Sequence, residues 1–178
     1  MMKPNLFFPT PVWTYKINNY KSTNEEMYKY IKKIYALDKK GINKSNIKGW
    51  HSKDFDLNEK EPQNFIKLIS PLIEQLVKDM DWDNEKQVVK INNMWAIINV
   101  GGATNLRHQH GNSTISGAYY VRAPANCGDI IFYDPRPAPV FSHPNSVKPN
   151  NLNAQINSIS PNEGALILFP SYLDHSVN

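Results

Sequence analysis

The chain has 178 residues, 40% of them hydrophobic and 11% aromatic, the composition of a folded domain with a sizeable core and not of a disordered chain. It contains no run of 18 or more apolar residues, which leaves no candidate transmembrane helix. Cys127 is its single cysteine, so an internal disulfide framework is excluded and a reducing, cytoplasmic setting is expected. Most of the net charge of +4 comes from lysines in the first half, interleaved with Ile and Tyr at helical spacing; they read as a solvated helix face better than as a nucleic-acid surface.

The opening "MMKPNLFFPTPVWTYK" is broken by prolines and lacks the long apolar core and cleavage site of a secretory signal. Within residues 1–18, "PVWTYKI" alternates apolar and polar, as an extended entry strand does. A helix is expected over 22–36: Ser22 and Thr23 offer a cap, Glu25 and Glu26 an acidic first turn, and Met27, Tyr30, Ile31 and Ile34 share one face. Residues 38–60 are polar and loop-like. A second helix is expected from Glu61 to Met80, where Phe65, Leu68, Ile69, Leu72, Ile73 and Leu76 recur at three and four, with Pro71 kinking or restarting it.

After Asn84 the pattern changes to short β-branched and aromatic runs, "QVVKINNMWAIINV", "STISGAYYV", "GDIIFYD", "AQINSIS" and "GALILFP", separated by Gly, Pro and Asn. Two helices followed by many short strands imply a single α+β domain over 1–178. Residues 1–84 would be mostly helical support and 85–178 a sandwich or barrel. The Pro- and Asn-rich stretch 135–160 is expected to form a long loop beside its mouth.

Two of the five histidines stand together in "RHQHG". On an extended backbone His108 and His110 point to one face and can grip one metal ion, although on spacing alone a surface pair at a strand end is the commoner case. His175 follows an apolar strand and a Pro-Ser turn, a placement at a barrel rim from which a third ligand can come. Its neighbour Asp174 is an alternative carboxylate, but as an adjacent residue it is expected to point the other way. His143, in "FSHPN", is a minor candidate for substrate contact, and His51 has no evident partner. Trp95 reads as core, Asn99 as a strand-edge or mouth residue, and Gly101-Gly102 as a turn.

The order of "H-x-H", "SG-x-YY" and "LFPS-x-L-x-H" over residues 93–178 resembles the Fe(II)- and 2-oxoglutarate-dependent dioxygenase superfamily. The similarity is to its prolyl-4-hydroxylase-like branch, and most of all to oxygenases of bacteria and phages carrying these motifs. The resemblance implies a double-stranded β-helix (jelly roll) with iron at an open end. His108 would be the first ligand and His175 the distal one, with His110 where the family has Asp or Glu. Tyr120 would hold the far carboxylate of 2-oxoglutarate. The family's basic partner would fall beyond Asn178, so either this sequence stops short of it or another cation serves, Arg122 first and Arg136 second; Arg107 alternates away. A hydroxylase using O2 and 2-oxoglutarate follows, with succinate and CO2 as co-products. Its substrate would be a small molecule or a peptide, with peptidyl proline or another protein side chain suggested by analogy. Two alternatives stand beside it: a cupin-like three-histidine metalloenzyme without 2-oxoglutarate, and a non-catalytic jelly-roll binding module.

Overall fold

The computed structural model describes residues 2–137 and 144–178; His143, named above for substrate contact, lies outside them. The chain enters through β1 (Trp13–Lys16) and turns at once into helix α1 (Tyr20–Leu37). Two short strands, β2 (Asn46–Ile47) and β3 (Trp50–His51), precede helix α2 (Lys60–Asp79). Then come β4 (Ile97–Ile98), β5 (Thr104–His108), β6 (Ile115–Tyr119), β7 (Ile130–Tyr133), β8 (Ile156–Ile159), β9 (Ala165–Pro170) and β10 (His175–Val177). Among the described residues they form a three-stranded sheet, β1-β9-β6, a five-stranded sheet, β2-β5-β10-β7-β8, and the pair β3-β4. This is the α+β arrangement with an antiparallel sandwich that the sequence led us to expect.

The strand β9, "ALILFP", shows why. Its alternate side chains face opposite layers. Leu166 and Leu168 join Met27, Tyr30, Phe65, Ile69 and Leu76 under the two helices. Ile167 and Phe169 join Ile130, Phe132 and Leu173 between the two sheets. A strand buried on both faces has to be apolar at every position. Strand β6 alternates in the same way, with Tyr119 toward the helices and Ala118 and Tyr120 toward the sheet interior.

The differences from the expectations have identifiable causes. Helix α1 starts at Tyr20, ahead of Ser22, behind Asn19 in a left-handed conformation with no side-chain cap. A tertiary contact sets this start: Ile17 N–H donates to Gly164 O at 2.9 Å. The Tyr20 ring then occupies the space a side chain on Gly164 would need, and Gly164 has a φ of +78°. Helix α2 runs unbroken through Pro71. That proline lies on the exposed face, where the carbonyl it leaves unbonded meets water, while buried Phe65, Ile69 and Leu76 hold the helix down. The N-terminal half is not simply helical support. Strand β1 pairs with β9 and β2 with β5, and both β2 and β3 lie in the stretch 38–60 expected as loop. Conversely, only Ile97–Ile98 of "QVVKINNMWAIINV" enters a ladder, while β8 falls within the strand-like run "AQINSIS" at the end of the 135–160 stretch.

Candidate metal centre

The sheet register brings the distant histidines together. Strands β10 and β5 are antiparallel neighbours, and His175 is the direct cross-strand partner of His108. His110 lies two residues beyond His108, past the end of β5, and its N–H donates to Ser171 O at 3.0 Å. The rings of His108 and His175 are 4.3 Å apart, and those of His110 and His175 4.9 Å. One ligand nitrogen from each of the three lies within 4.8 Å of the others. The Nε2 atoms of His108 and His110 are 3.3 Å apart, the spacing of two nitrogens sharing one ion at bonds of about 2.1 Å.

The outer nitrogens decide which atoms face inward. His108 Nδ1 lies 2.6 Å from Leu106 O and His175 Nδ1 3.0 Å from Leu173 O. A carbonyl can only accept, so both Nδ1 atoms carry the proton and both Nε2 atoms present lone pairs. His110 Nδ1 is 2.7 Å from Ser116 Oγ, which is 2.7 Å from Ser171 Oγ. Partners of this kind on the outer nitrogen are what metal-ligating histidines have. Phe169 and Phe132 pack their rings on His175, at 4.7 and 6.3 Å between centroids, and close the inner side of the cluster.

Among the described residues no carboxylate joins the cluster. Asp174 accepts from Arg107 Nε and Nη2 at 2.8 and 2.6 Å, and Arg107 also lies over the Tyr133 ring. The cluster is therefore three imidazoles among the described residues. Burial, then His175 and His108, lower the His110 pKa from its ordinary 6.5 to about 4, and burial likewise lowers that of His175. For the metal-free protein the sign follows. The unfolded chain takes up the His110 proton near pH 6.5 and the folded chain only near 4, so between these values the unfolded state holds more protons. Stability is therefore complete above about 6.5 and falls as the pH drops toward 4. Melting temperature against pH, compared between the wild-type apoprotein and His110→Asn, checks this: the variant should show the shallower slope over that window.

Tyr120 lies half-buried in the sheet interior with Phe169, Ile130 and Leu173. Burial, with Cys127 and Asp129 adding, pushes its phenol up, so it is a neutral donor. The structure brings neither expected arginine to it. Strand β6 ends at Tyr119, and Arg122 turns outward to pair with Glu25 and stack over Tyr28 on α1. Arg136 is held by both Asp134 oxygens, at 3.0 and 2.8 Å. It lies beyond the His175 end of β7, opposite the end near Tyr120.

Several residues escaped the sequence reading. Ser116 and Ser171 are buried and serve His110; their one sign was a serine on the inward-facing parity of β6. His51 is buried and stacks on Trp95 at 5.7 Å, and Trp95 meets the His110 ring edge-on at 5.5 Å. Trp95 thus braces His110. A cavity of about 630 Å³ opens beside His110, walled by Trp13, Trp82, Tyr172 and Pro170 with Gln109 and Ser113. Apart from His110, none of its lining residues is ionisable at neutral pH.

Residues 93–178 match the family model described as "Putative 2OG-Fe(II) oxygenase". Among solved structures, the chain is similar to a prolyl-4-hydroxylase from Pseudomonas putida, with a TM-score of 0.66 and 10% identity over 94% of this chain and 84% of that one. It is also similar to a prolyl hydroxylase from Trichoplax adhaerens, solved in complex with a hypoxia inducible factor oxygen degradation domain peptide fragment. There the TM-score is 0.62 and the identity 13% over 94% and 76% of the two chains. At such identities these two likenesses concern the fold, a jelly-roll core with two helices against it. No curated protein matches the chain.

Proposed function

We propose that this chain, whose residues 93–178 match the 2OG-Fe(II) oxygenase family model and whose fold is like that of two prolyl hydroxylases, is a 2OG-Fe(II) oxygenase, that His108, His110 and His175 hold its iron, and that its substrate is an uncharged segment of a polypeptide. The observation that carries the reading is the convergence of three imidazoles whose outer nitrogens are all engaged. Iron with 2-oxoglutarate, when bound, supplies O2-dependent oxidation, here the hydroxylation of the substrate with succinate and CO2 as co-products. The protein's own contribution is geometric and electrostatic. Leu106 O, Leu173 O and Ser116 fix the three ring orientations. Phe132, Phe169 and Leu173 exclude water behind them. Tyr120 offers a neutral hydroxyl donor to the distal carboxylate of 2-oxoglutarate. Because the cage has no carboxylate, the dianionic co-substrate supplies the charge that balances the dication.

The cavity beside His110 supports the substrate class. Its aromatic and proline walls and lack of charged groups suit uncharged side chains, and its size suits a few residues of an extended chain. The Trp13 indole is fixed by donating to Asp79 at 3.0 Å, which presents a rigid wall. The peptide seen with the Trichoplax enzyme is consistent with this reading.

Titrating 2-oxoglutarate into the anaerobic Fe(II) protein should raise a weak visible charge-transfer band. Tyr120→Phe should weaken that binding about tenfold, the effect of losing one hydrogen bond to a charged group, with metal affinity unchanged. A fully metallated protein that gives no band would sink this reading in favour of a three-histidine enzyme without 2-oxoglutarate. Succinate release should then rise with uncharged peptides and not with lysine-rich or acidic ones; an equal response to all would remove the substrate half of the proposal.

A further inference from the structure

We propose that Ser45 is a ligand-binding residue of this centre, whose hydroxyl donates a hydrogen bond to the anionic co-substrate beside His108. The inference rests on the reading of the three histidines as the iron site and adds a residue that no motif marks.

The hydrogen-bond order fixes the direction of the hydroxyl. Asn105, the second residue of β5, is buried, 3% exposed. Its Oδ1 accepts from Asn99 Nδ2 at 3.0 Å, so its own Nδ2 faces the other way, 3.4 Å from Ser45 Oγ. An amide nitrogen only donates, and Ser45 Oγ is therefore the acceptor there. The hydroxyl hydrogen is left for its other neighbour, His108 Nε2, at 3.4 Å. That nitrogen carries a lone pair, because His108 Nδ1 is committed to Leu106 O.

Without metal, the Ser45 hydroxyl thus has an acceptor in the inward-facing nitrogen of His108. A cation taking that lone pair removes the acceptor and leaves a donor directed at the ion's surroundings. A donor stranded in a half-buried site is costly unless a new acceptor arrives. A carboxylate drawn in by the ion supplies one, and a dianion entering a cage with no carboxylate of its own has every reason to take it. The position is also rigid. Ser45 O accepts from Leu106 N–H at 2.8 Å, and the next two residues, Asn46 and Ile47, pair with Asn105 and Thr104. The short strand β2 therefore has a use: it brings Ser45 to the flank of His108.

The test measures iron and 2-oxoglutarate binding separately, by calorimetry and by the charge-transfer band, on anaerobic wild type, Ser45→Ala and Ser45→Thr. We expect Ser45→Ala to keep wild-type Fe(II) affinity, to bind 2-oxoglutarate about tenfold more weakly and to shift the band. Ser45→Thr, which retains the hydroxyl, should stay within about threefold of wild type by the same measure. Unchanged 2-oxoglutarate affinity in Ser45→Ala overturns the proposal while leaving the iron site standing. So does a parallel loss of iron, which would make Ser45 a support for His108 only, and so does failure of threonine to restore binding, which would assign the effect to packing. A wild-type protein that takes iron but no 2-oxoglutarate overturns this inference together with the function above.

Discussion

His175→Ala is expected to cost the protein its metal, with Fe(II) affinity falling by more than about a hundredfold and turnover dropping to background. Changing an outer partner of a ligating histidine already costs ten- to a hundredfold, and here a ligand itself is removed. His175 is the residue to choose because it is the cross-strand partner of His108 and comes from the far end of the chain. Alanine there leaves the β10 backbone pairs with β5 and β7 in place. It removes a ring that is 4% exposed and lies 4.3 Å from one histidine and 4.9 Å from the other. Metal content of protein purified without a polyhistidine tag, read beside a circular dichroism spectrum, is the measurement. A folded variant that retains stoichiometric iron would show that the cluster is not the metal centre.

Phe169→Ala should be the most destabilising single substitution among those considered, by about 3–5 kcal/mol, the range for emptying a core phenylalanine position. Phe169 is 1% exposed and sits where structure and site meet. Its ring packs against Phe132 at 5.1 Å and against His175 at 4.7 Å. The cavity would therefore loosen the floor under the histidines as well as the sheet interior, and metal affinity should fall together with stability. Phe169→Leu, which keeps most of the volume, should cost about half as much or less. Urea unfolding of the apoproteins separates the two effects from metal binding. A cost below about 1 kcal/mol for the alanine variant would mean that the site can collapse and that Phe169 does not set the position of His175.

The His110 environment shows what kind of information a sequence lacks. The H-x-H pair was legible as two neighbouring imidazoles because a strand's alternation is a local rule. The serines behind His110 are not local to it: Ser116 is on β6 and Ser171 follows β9, and these meet only because the two strands pair from Ile115↔Pro170 to Tyr119↔Leu166. His51 and Trp95 likewise meet across β3 and β4. The arginines failed for the complementary reason. Alternation places Arg122 with Tyr120, but the strand ends at Tyr119 and a carboxylate on α1 lies within reach. A long flexible cation goes where a partner is, and the partner is set by the fold.

What the amino-acid order determined by itself were the features written in repeating or adjacent residues. These are two amphipathic helices, the doubly buried run of β9, the same-face pair His108 and His110, and the rim position of His175. They are legible because burial imposes a period of 3.6 or 2 on any chain that buries one face. The tertiary structure alone decided the start of α1 over Gly164, the two-residue strands β2 and β3, the partners of each arginine, and the arrival of Ser45 and Ser116 at the histidines. Apart from the Arg136–Asp134 pair and the six-residue step from His110 to Ser116, each of those depends on groups tens of residues apart. A two-residue strand has no period to read, and a hydrogen-bonding side chain carries no sign of its partner until the sheets have closed.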